Sequence, residues 1–393
     1  MWARRLRRIL LVLLVVALAS TAAFLVIKPV RITALTWALV PELLNQGPRP
    51  LSALTPTPNR ISVTYGAAVP DRMDLYLPST SPADLSTPPR YPALMLVLGV
   101  NPVPLDDERV VRTAMAIARL GFVVSAPESA RFRNFEISPD EPGHLVEAFE
   151  VVAARPEVDP DRIGMVAFSV GAAIALLAAT DPQIASRVRY INAFGGFGDA
   201  ETLLVESATR SIEVVGQRRP WKIGNLAKDV FQRVILGMVD DEATQERVRE
   251  RIEPIIKGDG ANATSFDPAF AATVEGDALA AYRLATAFEP EVARAALASL
   301  SAPKREMLAR LSANRVAAGL RAPIWLMHDE SDTAVPFSQL GPLAHAIPPN
   351  LLRRITPFRF FDHVQLGASI GPSALFELWK LDAHLEDLLN VAL

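Results

Sequence analysis

The sequence predicts an α/β fold: a mostly parallel central sheet flanked by helices, with a helical cap insertion and an N-terminal transmembrane helix. Three observations carry this. Between residues 61 and 200, short apolar strand-like runs alternate with helical runs, the rhythm of a parallel sheet covered by helices. From residue 163 to 179 an apolar strand, a tight turn with serine at its apex and an Ala-rich helix follow without a break. Between about 201 and 320 that rhythm stops, strand signals become few and helical signals many.

The first element is at the N-terminus. Residues 1–8 form a basic tail with Arg4, Arg5, Arg7 and Arg8, and residues 9–27 are apolar and uncharged. Nineteen residues at ~1.5 Å each reach ~28 Å, about one bilayer core. Four arginines before the run, against Lys28 and Arg31 after it, place the N-terminus in the cytoplasm and the remainder outside. The rival is a cleaved signal peptide with Ala17-Leu18-Ala19 as its site, but Phe24-Leu25-Val26-Ile27 continues the apolar run past it. Residues 28–59 read as a juxtamembrane linker. A short helix is expected over 35–44, with Pro41 as a candidate break, and Pro48, Pro50, Pro56 and Pro58 keep the following backbone extended.

Residues 60–200 form the first part of the core. Residues 61–77 alternate as an antiparallel strand pair. Residues 93–98 are a buried strand, 109–120 a helix closed by Gly121, 122–126 a strand, and 144–154 a helix ending before Pro156. The run 163–179 is interrupted by Gly164 and Gly171 and reads as a buried strand plus a buried helix, not a membrane span. Residues 188–194 are the next strand. Residues 201–320 carry helical signals at 230–239, 242–256, 278–288, 290–300 and 303–311, one crossover's worth and several more. The surplus reads as a helical cap over the serine turn; the alternatives are helices that pad the sheet or form a dimer surface. Residues 321–393 complete the core.

The chemistry-bearing stretch is Gly164-Met165-Val166-Ala167-Phe168-Ser169-Val170-Gly171. A serine on such a turn projects its hydroxyl above the sheet edge, and the small Ala167 and Gly171 let strand and helix approach. Serine is a weak nucleophile unless a base takes its proton and a carboxylate orients that base. Downstream, an apolar strand at 324–328 ends in a polar loop with Asp332 three residues before Val335-Pro336. After it comes Phe358-Arg359-Phe360-Phe361-Asp362-His363, read as an aromatic strand with histidine just past its end. Asp329 and Glu330 are alternative acids. His144, His328, His345 and His384 are the competing histidines.

These residues resemble an α/β-hydrolase, nearest to the dienelactone hydrolase and carboxylesterase-like branches. The resemblance rests on Asp159-Pro160-Asp161-Arg162-Ile163-Gly164 leading into the serine turn and on His328-x-x-x-Asp332-x-x-Val335-Pro336. It rests also on Tyr65-Gly66 with Met73-Asp74-Leu75-Tyr76-Leu77-Pro78, and it spans roughly 60–200 and 321–390. It implies Ser169 as nucleophile, Asp332 as orienting acid and His363 as general base, in the family's chain order. It also implies an oxyanion hole of backbone N–H groups: Val170, with Val100 or Asn101 from the loop after the 93–98 strand. Esterases with a Tyr-Leu-Pro start usually carry His-Gly-Gly in that loop. This chain has Leu98-Gly99-Val100, and Pro102 has no N–H to give.

Composition narrows the partners. With 393 residues, half of them hydrophobic, the chain can bury a large core. A net charge of −3 gives no footprint for nucleic acid. Without cysteine there is no disulfide or thiol chemistry. The five histidines show no metal-ligand spacing, and no Gly-rich phosphate loop is present, so neither metal nor cofactor is expected. The reading is a membrane-anchored serine hydrolase for a small-molecule or lipid-like carboxylic ester. The alternatives are a serine peptidase or amidase on the same fold, or a catalytically silent hydrolase-like binding protein.

Overall fold

Eight strands form the central sheet of the computed structural model, which describes residues 5, 10, 12, 24, 26–44, 47–79, 89–100, 104–363, 365–366 and 374–393. The strands are β1 (Asn59–Tyr65), β2 (Asp71–Leu77), β3 (Tyr91–Val97), β4 (Val123–Pro127), β5 (Val158–Phe168) and β6 (Val188–Phe194). A hairpin, β7 (Ser211–Val214) and β8 (Gln217–Pro220), stands apart; β9 (Ile324–Asp329) and β10 (Leu352–Phe358) complete the sheet. The order is β1-β2-β4-β3-β5-β6-β9-β10. β2 runs antiparallel to both its neighbours, and every other pairing from β4 to β10 is parallel.

The longer helices are α1 (Lys28–Leu44), α2 (Glu108–Ala118), α3 (Glu141–Ala153), α4 (Val170–Ala178), α5 (Ala200–Thr209) and α6 (Asn225–Gly237). They continue as α7 (Glu242–Lys257), α8 (Gly276–Ala285), α9 (Pro290–Ala298), α10 (Ala302–Arg310), α11 (Leu340–Ala346) and α12 (Ala374–Ala392). Both sheet faces are covered, as a parallel sheet requires. On one face α3 and α4 bury Phe149, Val152, Ile174 and Leu176 against β3 and β5. On the other, α1, α2 and α12 bury Ile32, Ile117 and Leu388 against Leu94, Leu96 and Val124.

The segment read as a linker is more ordered than its prolines suggest. Lys28–Leu44 is one helix with Pro41 inside it. Ile32, Leu39 and Leu51 are buried against the sheet, each contributing roughly 1.5–3 kcal/mol. Tertiary packing on this scale overrides one proline's local preference. Among the described residues no helix is long and apolar enough to cross a membrane. The run 9–27 expected to do so lies mostly outside the described residues.

Two strand assignments shift. β5 begins at Val158, so the polar Asp159–Arg162 lead-in joins the strand, with an irregular register opposite Tyr91–Ala93. The aromatic stretch expected as the last strand only touches the sheet: Phe358 ends β10, which otherwise lies upstream and contains Pro357, while Phe361–Asp362 pair with Gln365–Leu366 in a separate two-stranded ladder. β10 is the edge strand, where a missing N–H is tolerated. Helices fill most of 201–320 as expected, and the hairpin β7–β8 is the addition. Its turn is Val215-Gly216, both at positive φ (50° and 69°), the two-residue turn that suits a hairpin's twist.

Candidate active site

Ser169 sits where β5 hands over to α4, at φ 55°, ψ −134°. A non-glycine residue rarely holds positive φ. Here the surroundings fix it: Ser169 N donates to Phe194 O on β6 (2.8 Å), and Ser169 O accepts from Ala172 N (2.9 Å). The turn requires close approach on both sides. A Cβ on Gly99 would lie 2.6 Å from Ser169 Cβ, and one on Gly171 would lie 2.4 Å from Leu98 O and 2.8 Å from Val97 O. The backbone after β3 is therefore pressed against the serine. Val170 is the first residue of α4, so its N–H has no acceptor within the helix. Val100 lines the same cavity as Ser169 and Val170. Asn101, the other expected donor, lies outside the described residues. Because the atoms facing Gly171 are backbone, they cannot rotate away. Gly171→Ala is expected to displace the 98–100 segment, lowering kcat at least tenfold and stability by about 1–3 kcal/mol. An ester assay beside urea unfolding checks this.

The structure brings together Asp332 and His363, the residues read from the sequence as acid and base. His363 Nδ1 is 2.7 Å from Asp332 Oδ2. The other oxygen, Oδ1, accepts from Ala334 N (2.7 Å) and Val335 N (2.9 Å). All three candidate residues are buried. Ser169 and His363 line one cavity, and His363 Nε2, the nitrogen that would serve the serine, has no hydrogen-bond partner among the described residues. Such contacts commonly tighten only when substrate is bound.

The alternative acids have other work. Asp329 Oδ1 accepts from Ser331 N and Oγ (2.8 and 2.6 Å), and Oδ2 from Phe360 N and Phe361 N (2.9 and 2.8 Å). It fixes the loop that delivers His363, whose own φ is 59°. Glu330 pairs with Arg359. Among the other histidines, His144 contacts Asp71 (3.0 Å), and the ring of His345 lies on α11. His328 is buried beside the pair, with Nε2 2.9 Å from Val335 O. Burial lowers its pKa, with the Asp332 charge opposing.

His384 is a core residue. Nδ1 contacts Thr356 Oγ1 and Nε2 contacts Asn192 Oδ1, both at 2.7 Å. Burial, aided by the Arg354 charge, pushes its pKa down to about 3. The unfolded chain therefore binds this proton first as pH falls. Stability is full above about pH 6.5 and declines toward about pH 3. Between pH 7 and 4.5 this group alone removes about 2–3 kcal/mol, so His384→Gln is expected to flatten the pH dependence of the urea midpoint.

Sequence reasoning missed the parts that hold the Asp332 loop. Trp221 Nε1 donates to Asp332 O and Gly224 N donates to Thr333 O, both at 2.7 Å. The segment between the β7–β8 hairpin and α6 thus straps the loop that carries Asp332. Gly195, at φ 64°, passes so close that an added Cβ would lie 3.3 Å from both Asp332 Oδ2 and His363 Nδ1. The Gly195-Gly196 pair at a strand end was the available signal.

Two cavities adjoin Ser169. A cavity of 380 Å³ is lined by Ser169, Val170, Phe197, Phe231, Met307 and Leu308, so α6 and α10 cover it. A second, of 200 Å³, contains Gly99, Asp107, Arg109, Thr113 and His363. Leu226 of α6 borders both. The first is mainly apolar; in the second Asp107 and Arg109 are paired with each other (2.8 Å). Among the described residues no group of three or more His, Asp or Glu side chains could hold a metal ion.

The strand order, the antiparallel β2, the serine at a strand-to-helix turn and the buried Asp–His pair together define an α/β-hydrolase fold. No family model matches the chain, and no curated protein sequence matches it. Solved structures with similarity include 2,6-dihydroxy-pseudo-oxynicotine hydrolase, at 14% identity and TM-score 0.45, covering 83% of this chain and 68% of that one. Pyrococcus horikoshii acylaminoacyl peptidase has 12% identity and TM-score 0.45, covering 86% and 41%. A puromycin-hydrolysing peptidase of Mycobacterium tuberculosis has 15% identity and TM-score 0.46, covering 84% and 38%. The chain thus spans well under half the length of the two peptidases. None of the three singles out the dienelactone hydrolase or carboxylesterase branch.

Proposed function

We propose that the protein is a serine hydrolase that cleaves a carboxylic ester with an apolar acyl group. The observation that carries this is the His363–Asp332 hydrogen bond, with His363 Nε2 unpartnered among the described residues and His363 lining a cavity that Ser169 also lines. Ser169 Oγ attacks the acyl carbon while His363 Nε2 takes its proton. The oxyanion is received by the N–H groups of Val170 and Val100. Collapse expels the alcohol, protonated by His363, and leaves the acyl group on Ser169. Water, deprotonated by the same nitrogen, then hydrolyses the acyl-enzyme. Asp332 holds the Nδ1–H tautomer and stabilises the imidazolium. The 380 Å³ cavity is the acyl site and the 200 Å³ cavity the leaving-group site.

Residues 9–27 anchor the enzyme in the membrane, with residues 1–8 cytoplasmic. The apolar uncharged run and the arginines before it support this.

Ester and amide cleavage share this machinery, and two of the structural neighbours named above are peptidases, so the test covers both. A fluorophosphonate probe is expected to label Ser169 and no other residue. p-Nitrophenyl esters from acetate to palmitate are expected to turn over faster than the matching acyl anilides, with an optimum set by the cavity. Anilides turning over as fast would make it an amidase. A folded protein that neither labels nor turns over would be a silent binding protein.

A further inference from the structure

The antiparallel pair α1 and α12 leaves an unusual outer face. On α1, Val30, Ala34 and Trp37 are exposed at spacings of four and three, one stripe of the helix, and all are apolar. On α12, Leu375, Phe376 and Trp379 are exposed, again all apolar. The degree is high: 69% for Trp37, 78% for Leu375, 59% for Phe376 and 62% for Trp379. Phe376 and Trp379 stack with centroids 5.8 Å apart. The Trp37 side chain hydrogen-bonds Asp382, one turn beyond Trp379, so the two tryptophans share one surface. Single exposed apolar residues are ordinary; a face of adjacent aromatics marks an interaction surface.

What covers this face follows from where the chain comes from and from its chemistry. The apolar run 9–27 ends at the residue before α1, so a bilayer entered by that run lies at the start of this helix. Tryptophan with its ring in an apolar layer and its N–H on a polar group is the side chain enriched at membrane–water boundaries. Cations border the face: Lys28 and Arg31 at the start of α1, and Lys380, whose Nζ lies 5.5 Å from the Phe376 ring centroid. Acids border it too: Asp382, Glu386 and Asp387 on α12. With the signs balanced, attraction to anionic lipid is not what the surface is built for; insertion of the rings is.

We propose that the Trp37–Leu375–Phe376–Trp379 face lies in the interfacial layer of the lipid bilayer, a second contact that seats the catalytic domain side-on against the membrane its N-terminus enters. This rests on the anchor reading above, and it adds an orientation that a flexible tether does not give. Arg359, four residues before His363, donates its N–H to Glu377 Oε2 on α12 (3.1 Å), so seating this face also fixes the flank of the domain next to the His363 loop.

The chain has no cysteine, which permits a clean test in the full-length protein. Single Trp37→Cys, Leu375→Cys and Trp379→Cys variants would carry a nitroxide, with Val215→Cys on the β7–β8 turn, 96% exposed, as reference. Each is reconstituted in phosphatidylcholine vesicles, and collisions with oxygen and with a water-soluble nickel chelate are measured. All four positions are on the surface, so folding is not at stake, and circular dichroism verifies it. The expected result is an oxygen-to-nickel collision ratio severalfold higher at 37, 375 and 379 than at 215, unchanged by salt. Equal ratios at all four positions would overturn the proposal. So would shielding of the three labels from both colliders with spin–spin broadening between copies, since the face would then be covered by a second chain. An alkaline carbonate wash reads the anchor separately. A chain that resists the wash while its labels report water has its anchor and lacks the docking face. A chain that washes off, yet whose labels report immersion before the wash, docks without being anchored.

Discussion

Ser169→Ala is expected to lower kcat for an activated ester by about 10⁴–10⁶-fold while leaving the unfolding free energy from urea titration within about 0.5 kcal/mol of the parent. The hydroxyl is all that is removed, and the strained turn is held by backbone bonds to Phe194 and Ala172 that alanine keeps. His363→Ala is expected to cost a similar factor, because without a base the serine stays protonated. The two losses should not add. If each residue acts only through the other, the double variant turns over about as slowly as either single variant. Labelling separates the roles: Ser169→Ala loses the fluorophosphonate adduct altogether, whereas His363→Ala retains slow labelling. Steady-state kinetics on all three variants with tandem labelling checks this. A Ser169→Ala protein with undiminished turnover would place the nucleophile elsewhere and sink the reading.

Much of this site was legible because its signals are local. The serine turn is written in consecutive residues: an apolar strand, small residues at 167 and 171, and an Ala-rich helix. Gly171 is legible for a physical reason, since only hydrogen fits against the Leu98 carbonyl. Asp332 was legible through the Val335-Pro336 that follows, and the structure gives the cause: Val335 N is one of the two amides bonded to its Oδ1. The rest depends on contacts between distant parts of the chain. That Asp329 is a structural carboxylate follows from two amides thirty-one and thirty-two residues away. That Trp221 holds the Asp332 loop follows from a bond spanning 111 residues. Neither leaves a local pattern. The 28–44 helix was underestimated because Pro41 is a local signal, whereas the burial of Ile32 and Leu39 that outweighs it is a tertiary one.

The orienting role of Asp332 gives the second large effect. Asp332→Asn preserves volume and leaves an oxygen able to accept from Ala334 N and Val335 N. The amide –NH₂ then replaces Oδ2, the atom 2.7 Å from His363 Nδ1. A donor facing Nδ1 demands that this nitrogen accept, so the imidazole proton moves to Nε2. That is the atom required to take the serine proton, and it is no longer basic. kcat is therefore expected to fall about 10⁴-fold, the scale known for this exchange in a serine protease triad. Binding of a non-hydrolysable acyl analogue should be little changed, because the cavities are untouched. Asp329→Asn provides the contrast. Its two oxygens accept from Ser331, Phe360 and Phe361 and none from the imidazole. Its substitution should loosen the His363 loop and lower stability by about 1–3 kcal/mol, with a smaller loss of kcat. Measuring kcat and the urea midpoint for both variants decides between the carboxylates. A rate collapse at Asp329→Asn with stability intact, and a stability loss at Asp332→Asn with rate intact, would reverse the two roles.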